Sequence, residues 1–236
     1  FVDMQLSQIR PGYVRALKNY LSVLESRNAL LRQDKLQGVS DFANQLDAWD
    51  EQLANAAVPI VRSRRWFLRE LSENSSREYA AISENPDEPF SLFYAGPLAQ
   101  SETPYEGMLN GLRRSREEDR RRMYTTFGPH RDDVSLQLFG KDLRAMGSQG
   151  QLRTAVLSMK LGEIRLIEKE MGESPALLLD DVFSELDAKR RNALFKSAAP
   201  LQTFITCTDR QDAAGAKADC FLQVTSTPEG TVLRRE

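Results

Sequence analysis

The sequence is short of several things, and each shortage narrows what it can be. Its 236 residues hold two cysteines and one histidine. Cys207 and Cys220 lie in apolar stretches without the paired spacing of a zinc site. They read as reduced core thiols, in keeping with a cytoplasmic protein, and not as a disulfide framework. The one histidine, His130, stands beside Arg131 and Asp132 with no nucleophile or metal-ligand partner nearby. This favours a structural hydrogen-bonding centre over a catalyst. There is no run of 18 apolar residues and no signal peptide, so neither a membrane span nor export is expected. Neither sign of charge dominates: 28% of residues are charged and the formal net charge is −2. Any basic surface for nucleic acid must therefore be local. The loop Gly-x-x-x-x-Gly-Lys-[Ser/Thr] occurs nowhere, which removes the usual backbone cradle and lysine for nucleotide phosphates. The chain opens at Phe1-Val-Asp without a methionine, so an upstream part is expected.

What is present supports a real core, with an apolar fraction of 41%, in one large domain or two modest ones. The most informative stretch runs from Ala176 to Asp187. Three leucines after Pro175 read as a buried parallel strand. The strand ends in Asp180-Asp181, at the sheet edge where open α/β folds hold ligands. A hard cation such as Mg²⁺ takes one or two carboxylates plus phosphate oxygens, so Asp180 is the candidate metal ligand. Asp181, one residue on, is placed to orient or deprotonate a water. The plain alternative is a buried strand followed by an Asp helix cap.

Apolar spacing predicts helices before this point. Tyr13 to Leu31 follows a helical period. Val39, Phe42, Leu46, Trp49, Leu53, Ala56 and Ile60 form a 3-4-3-4 seam, and Pro59 is expected to kink or end that helix. Residues 13–72 thus read as two or three long helices packed together. Residues 73–106, rich in Ser, Asn, Pro and Glu, read as loop and edge strand. Residues 107–124 form a charged helix. Its Arg113, Arg114, Arg120, Arg121 and Arg122 serve either a solvated face with internal ion pairs or a phosphate backbone.

Val134 to Phe139 alternates as a half-buried strand, and a second short strand follows Gly140. Ser148-Gln149-Gly150-Gln151 then opens a helix whose Leu152, Val156, Met159, Ile164 and Ile167 are expected to be buried. Free N–H groups and the positive dipole end make this tip a candidate anion cradle, though it could equally be an ordinary cap. A short helix (188–198), a strand (202–208) and a hairpin around Pro228-Glu-Gly230 complete an α/β half-domain with a parallel sheet.

The order of a Ser-Gln-Gly-Gln helix start, an apolar Asp-Asp strand and Ser184-Glu-Leu-Asp187 resembles the second half of an ABC-type ATPase head: signature motif, Walker B strand and D-loop. The Gly128-Pro-His-Arg-Asp-Asp133 and Asp180-Asp-Val-Phe-Ser-Glu-Leu-Asp187 runs are similar to those of the RecF family, related to Rad50 and SMC heads. The Arg27-Asn28 and Trp49-Asp50 segments agree with it. The resemblance implies a helical lobe over 1–123 and the C-terminal half of the head over 124–236. It implies ATP and Mg²⁺ as cofactors. Ser148, Gln149, Gly150 and Gln151 would face the nucleotide held by a second subunit, Asp180 would hold Mg²⁺, and Asp181 would act as base. Asp187 would couple the two sites, and Thr206, where transporters carry a switch histidine, would sense the γ-phosphate. Leu152 departs from the family's usual polar residue. By the same resemblance the whole protein is a slow ATPase of DNA repair and recombination. It dimerises on ATP, binds DNA at single/double-strand junctions, and acts with recombination mediator proteins to load recombinase. Without the phosphate loop this chain alone is expected to be inactive. A non-catalytic DNA-binding or scaffold module is the alternative; a transporter subunit fits poorly with the long helices and absent membrane features.

Overall fold

A computed structural model describes residues 1–83, 87–209, 218–227 and 230–235, apart from the side chains of Ser184, Glu185 and Lys189. The chain forms two compact units, Phe1–Ser174 and Pro175–Glu236.

The first unit is built on one long helix. Helix α1 (Val2–Ile9) leads into α2 (Tyr13–Gln37) and α3 (Phe42–Ile82). Strand β1 (Phe90–Ala95) and α4 (Pro104–Arg122) follow, then a 3₁₀ turn (Pro129–Arg131), β2 (Asp133–Leu138), β3 (Lys141–Asp142), α5 (Leu143–Met146) and α6 (Gln149–Met171). Helix α3 touches α2, α4, α6 and β1. Its face of Leu53, Ala57, Ile60, Val61, Phe67 and Leu71 is fully buried, and this apolar stripe supplies most of the driving force for the unit. Pro59 does not end the helix, contrary to the sequence expectation. Ala56, Ala57, Ile60 and Val61 on either side are all buried. That packing holds the axis through the one backbone hydrogen bond the proline removes.

Residues 73–82 are also helical and not loop. Their small polar side chains work at contacts. The Ser72 hydroxyl accepts the Leu92 N–H at 2.9 Å, and the Ser76 hydroxyl donates to the Phe90 carbonyl at 2.5 Å. At Ser75 the helix meets Gly162 of α6 so closely that a Cβ there would lie 2.6 Å from the Ser75 hydroxyl. In β1–β2–β3 both pairings are antiparallel, with Leu92 opposite Leu136.

A buried ionic cluster stitches three helices. Arg27, wholly buried, donates from Nε to Asp50 Oδ1 at 2.7 Å and from Nη1 to Asp119 Oδ2 and Thr125 Oγ1, both at 2.8 Å. Asn28 Oδ1 accepts the Thr125 N–H and hydroxyl, each at 2.7 Å. Asp119 Oδ1 accepts the Thr126 N–H at 2.8 Å. So a charge that would be costly to bury alone is compensated on several sides.

The second unit contains β4 (Leu177–Asp180), a 3₁₀ turn (Val182–Glu185), α7 (Ala188–Ala198), β5 (Thr203–Thr206), β6 (Leu222–Thr227) and β7 (Gly230–Arg235). Strands β4 and β5 pair in parallel, Asp180 opposite Thr206, and β6 and β7 form an antiparallel hairpin. Its turn residues Pro228 and Glu229, read from sequence as the tip, lie outside the described residues. Leu177 and Leu179 point into the packed side with Phe183, Leu194 and Leu201, and the Phe183 and Phe195 rings meet edge to face at 5.0 Å.

Three sequence expectations fail on exposure. Leu178 is 73% exposed, because strand alternation turns the middle leucine to the other face of a sheet two strands wide. Val156 is 56% exposed on the outer side of α6. Cys207 and Cys220 are exposed, not core thiols.

Candidate functional site

Two features carry the chemistry, one in each unit. In the second unit, β4 delivers Asp180 to the strand end beside Thr206 of β5. The Thr206 hydroxyl donates to Asp180 Oδ1 at 2.5 Å and accepts the Asp181 N–H at 3.1 Å. A single hydroxyl thus holds the Asp180 carboxylate and the Asp181 backbone. Asp181 has φ 47° and ψ 30°, in the left-handed region that Asp and Asn tolerate better than most residues. This reverses the chain into the 3₁₀ turn, which buried Phe183 pins from below. Asp180 and Asp181 are both exposed, so the strand end is an open acidic rim. Asp180 Oδ2 has no protein partner among the described residues. Two adjacent carboxylates, one oriented by a hydroxyl, suit a Mg²⁺ ion that completes its shell from phosphate and water. No cluster of three or more metal-ligating side chains exists among the described residues, so the protein alone makes no closed cage. Asp187 caps α7, accepting the Arg190 N–H at 2.9 Å and its guanidinium at 2.5 Å. The turn residues Ser184 and Glu185 have side chains outside the description.

In the first unit, Ser148 is the N-cap of α6. Its hydroxyl oxygen accepts the Gln151 N–H at 3.2 Å, and Gln151 Oε1 accepts the Ser148 N–H at 3.0 Å. This reciprocal capping box fixes the helix tip. It leaves the Ser148 hydroxyl hydrogen and the first-turn N–H groups of Gln149 and Gly150 as donors at the positive end of a 23-residue helix. Ser148 and Gln149 are exposed and Gly150 is half-buried. Gln151 Nε2 donates to Glu88 Oε1 at 3.3 Å, and Glu88 Oε2 accepts the Tyr79 hydroxyl at 3.0 Å. The sequence reading missed Glu88. It lies 63 residues from Gln151, and no local pattern links them. Leu152, the family's usual polar position, packs against the core.

The arginines of α4 divide by geometry. Arg120 donates to Asp34 at 2.7 Å and lies over the Phe42 ring at 5.1 Å. Arg121 and Arg122 both clasp Glu118, holding its carboxyl below the usual range through the hydrogen bond from Arg122. Arg116, turned inward, holds Asp50 at 2.6 Å and also pairs with Asp47. Arg113 and Arg114 are exposed with no ion pair among the described residues. The helix is therefore largely an ion-paired face, partly within itself and partly to α2 and α3, with Arg113 and Arg114 outside those pairs.

His130 is half-buried against α2. Tyr20 donates its hydroxyl to His130 Nδ1 at 2.6 Å, which places the ring proton on Nε2, 3.1 Å from the Thr125 carbonyl. Burial holds its pKa below the ordinary histidine value. Gly128 before it, at φ 136°, is packed so closely that a Cβ would lie 2.7 Å from the Tyr20 hydroxyl. Arg64 reinforces the same corner, with two 2.8 Å bonds to Asp3 and one of 2.5 Å to the Pro129 carbonyl.

No family model matches the chain. Over 90% of its length it is 39% identical to the DNA replication and repair protein RecF of Lachnoclostridium phytofermentans, covering 57% of that protein. It is 41% identical to that of Herpetosiphon aurantiacus, over 90% of this chain and 55% of the relative. Along its whole length it is 38% identical to that of Shouchella clausii, covering 64% of it. A solved structure of the recombination mediator protein RecF with ATP, in the RecFOR pathway, is 34% identical. It superposes with a TM-score of 0.81, over 94% of this chain and 58% of that one. The chain thus spans somewhat more than half the length of the relatives it matches, and its mixed α/β fold with long helices follows theirs. No helix among the described residues is long and apolar enough to cross a membrane.

Proposed function

Because this chain belongs to the RecF family, as its motifs implied, we propose that it is the signature- and Walker B-bearing part of a DNA repair ATPase, in which ATP joins two copies head to tail. The observation that carries this is the acidic rim: two exposed adjacent carboxylates at a parallel strand end, held by one threonine hydroxyl. Asp180 holds Mg²⁺, which when bound neutralises phosphate charge. Asp181 orients the attacking water and takes its proton, a role worth about 10²–10⁴-fold in rate. Thr206 directs the Asp180 carboxylate and holds the backbone of Asp181. Contact with a γ-phosphate would cost its hydroxyl the bond to Asp180, so it acts chiefly through them.

The Ser148 hydroxyl and the Gln149 and Gly150 amides meet the γ-phosphate held by the second copy, as donors preset by the capping box. Gln151 maintains that box, and Asp187 couples the two sites through the start of α7. The dimer clamps DNA at single/double-strand junctions and, with recombination mediator proteins, helps load recombinase. Arg113 and Arg114 are the cations free to meet phosphate. This chain alone lacks the phosphate loop and does not turn over ATP.

Thr206→Val in the full-length protein tests the acidic rim. ATP turnover is expected to fall about ten- to a hundredfold, while Thr206→Ser, which keeps the hydroxyl, retains most of it. Equal loss in both, or no loss in Val, would remove the rim from the mechanism.

A further inference from the structure

The free edge of β1 is half covered. Phe90, Leu92 and Tyr94 direct their backbone groups away from β2, because Leu92 N–H is taken by Ser72 and Phe90 C=O by Ser76, and antiparallel pairing alternates in this way. Those two serines of α3 cover the first half of the edge. Beyond them the Leu92 carbonyl and the Tyr94 N–H have no partner among the described residues. This acceptor and donor flank Phe93, and they are the pair that one residue of an added parallel strand would bond.

They open into a groove of about 540 Å³ between β1 and α3. Its wall carries Arg62, Arg65 and Arg69 against one acid, Glu73. Arg62 is exposed with no ion pair among the described residues. Arg69 is 67% exposed and only loosely paired, at 3.4 Å, with Glu70. Arg65 braces the far end through the Leu98 and Ser101 carbonyls, and its buried Nε has no partner. Phe93, 45% exposed, offers one apolar contact.

We propose that this groove docks an extended acidic segment of a partner protein, which adds as a strand to the open half of the β1 edge. Backbone bonds at Leu92 and Tyr94 fix its register, and the arginines select its charge. Single-stranded nucleic acid fits the groove less well, because the face of its largest ring is taken: Arg10 lies over Trp66 at 3.7 Å. Base stacking needs such a face free.

The test uses the full-length protein with capped peptides of alternating Glu and Val or alternating Lys and Val, and an oligothymidine strand. Amide hydrogen exchange of residues 90–95 and fluorescence anisotropy are the readouts. The Glu-Val peptide is expected to bind and to slow exchange at Tyr94. Arg62→Glu with Arg69→Glu, both at exposed positions, is expected to weaken it about tenfold or more, and N-methylation of the peptide backbone to abolish the Tyr94 protection. Equal binding of the Lys-Val peptide would overturn the proposal, as would unchanged exchange at Tyr94 with saturating peptide. So would tighter oligothymidine binding that the same two substitutions abolish, which would make the groove a nucleic-acid surface.

Discussion

The two compact units solve burial in opposite ways. In Phe1–Ser174, α3 is enclosed by neighbours, and one of its charged contacts is wholly internal: Arg27, Asp50 and Asp119 are fully buried and paired. In Pro175–Glu236, a parallel pair of strands buries Leu177 and Leu179 on one face while Leu178 and Phe204 stand 73% and 56% exposed on the other. The first unit is a closed scaffold, whose proposed contact points are a helix tip and a groove at its surface. The second has apolar residues on both faces of its strand pair, buried on one and exposed on the other. Rigidity and reactivity are thus divided, with the proposed base on the thinner unit and the proposed phosphate donors on the thicker one.

The largest expected effect tests the closed scaffold. Arg27→Ala strips three helices of their shared cation and leaves Asp50 and Asp119 buried without it. A loss of about 3–5 kcal/mol is expected in denaturant unfolding. A loss below about 1 kcal/mol would mean the cluster is not what joins the helices. The next contrast lies within β4. Leu179→Ala is expected to cost about 2–4 kcal/mol, and Leu178→Ala in this same chain less than about 0.5 kcal/mol, measured by the same unfolding. Equal costs would erase the difference between the two faces.

The smallest effect concerns His130. Its pKa in the folded chain is lowered by burial, so the fold prefers the neutral ring. Stability is complete above the unfolded value of about 6.5 and falls as pH drops below it, by at most about 1.4 kcal/mol per pH unit until the folded pKa is reached. Unfolding midpoints between pH 7.5 and 5.5 should show this decline, and His130→Gln should remove that part of it.

Sequence periodicity found the helices of 13–72, the signature helix and the parallel Asp-Asp strand, because each has an apolar stripe or run that only one kind of burial satisfies. It misread 73–82, where Ser75 and Ser76 look like loop residues but serve a close helix crossing and a helix–strand seam. Pro59 does not end its helix, whose buried neighbours Ala56, Ala57, Ile60 and Val61 carry it on. In the candidate site, the motif order named Asp180, Asp181, Thr206 and Ser148, and the structure puts the first three at one strand end. The Thr206 bridge and the Glu88 support for Gln151 were not. Both depend on contacts between residues far apart in the chain, which local spacing does not encode.

Asp181 is proposed to position the water for an ATP shared between two copies. Sedimentation of full-length Asp181→Asn in saturating ATP and Mg²⁺ tests that role. A stable dimer that persists while the unmodified protein returns to monomer is the expected result. A protein that stays monomeric under those conditions, with nucleotide bound, would contradict it.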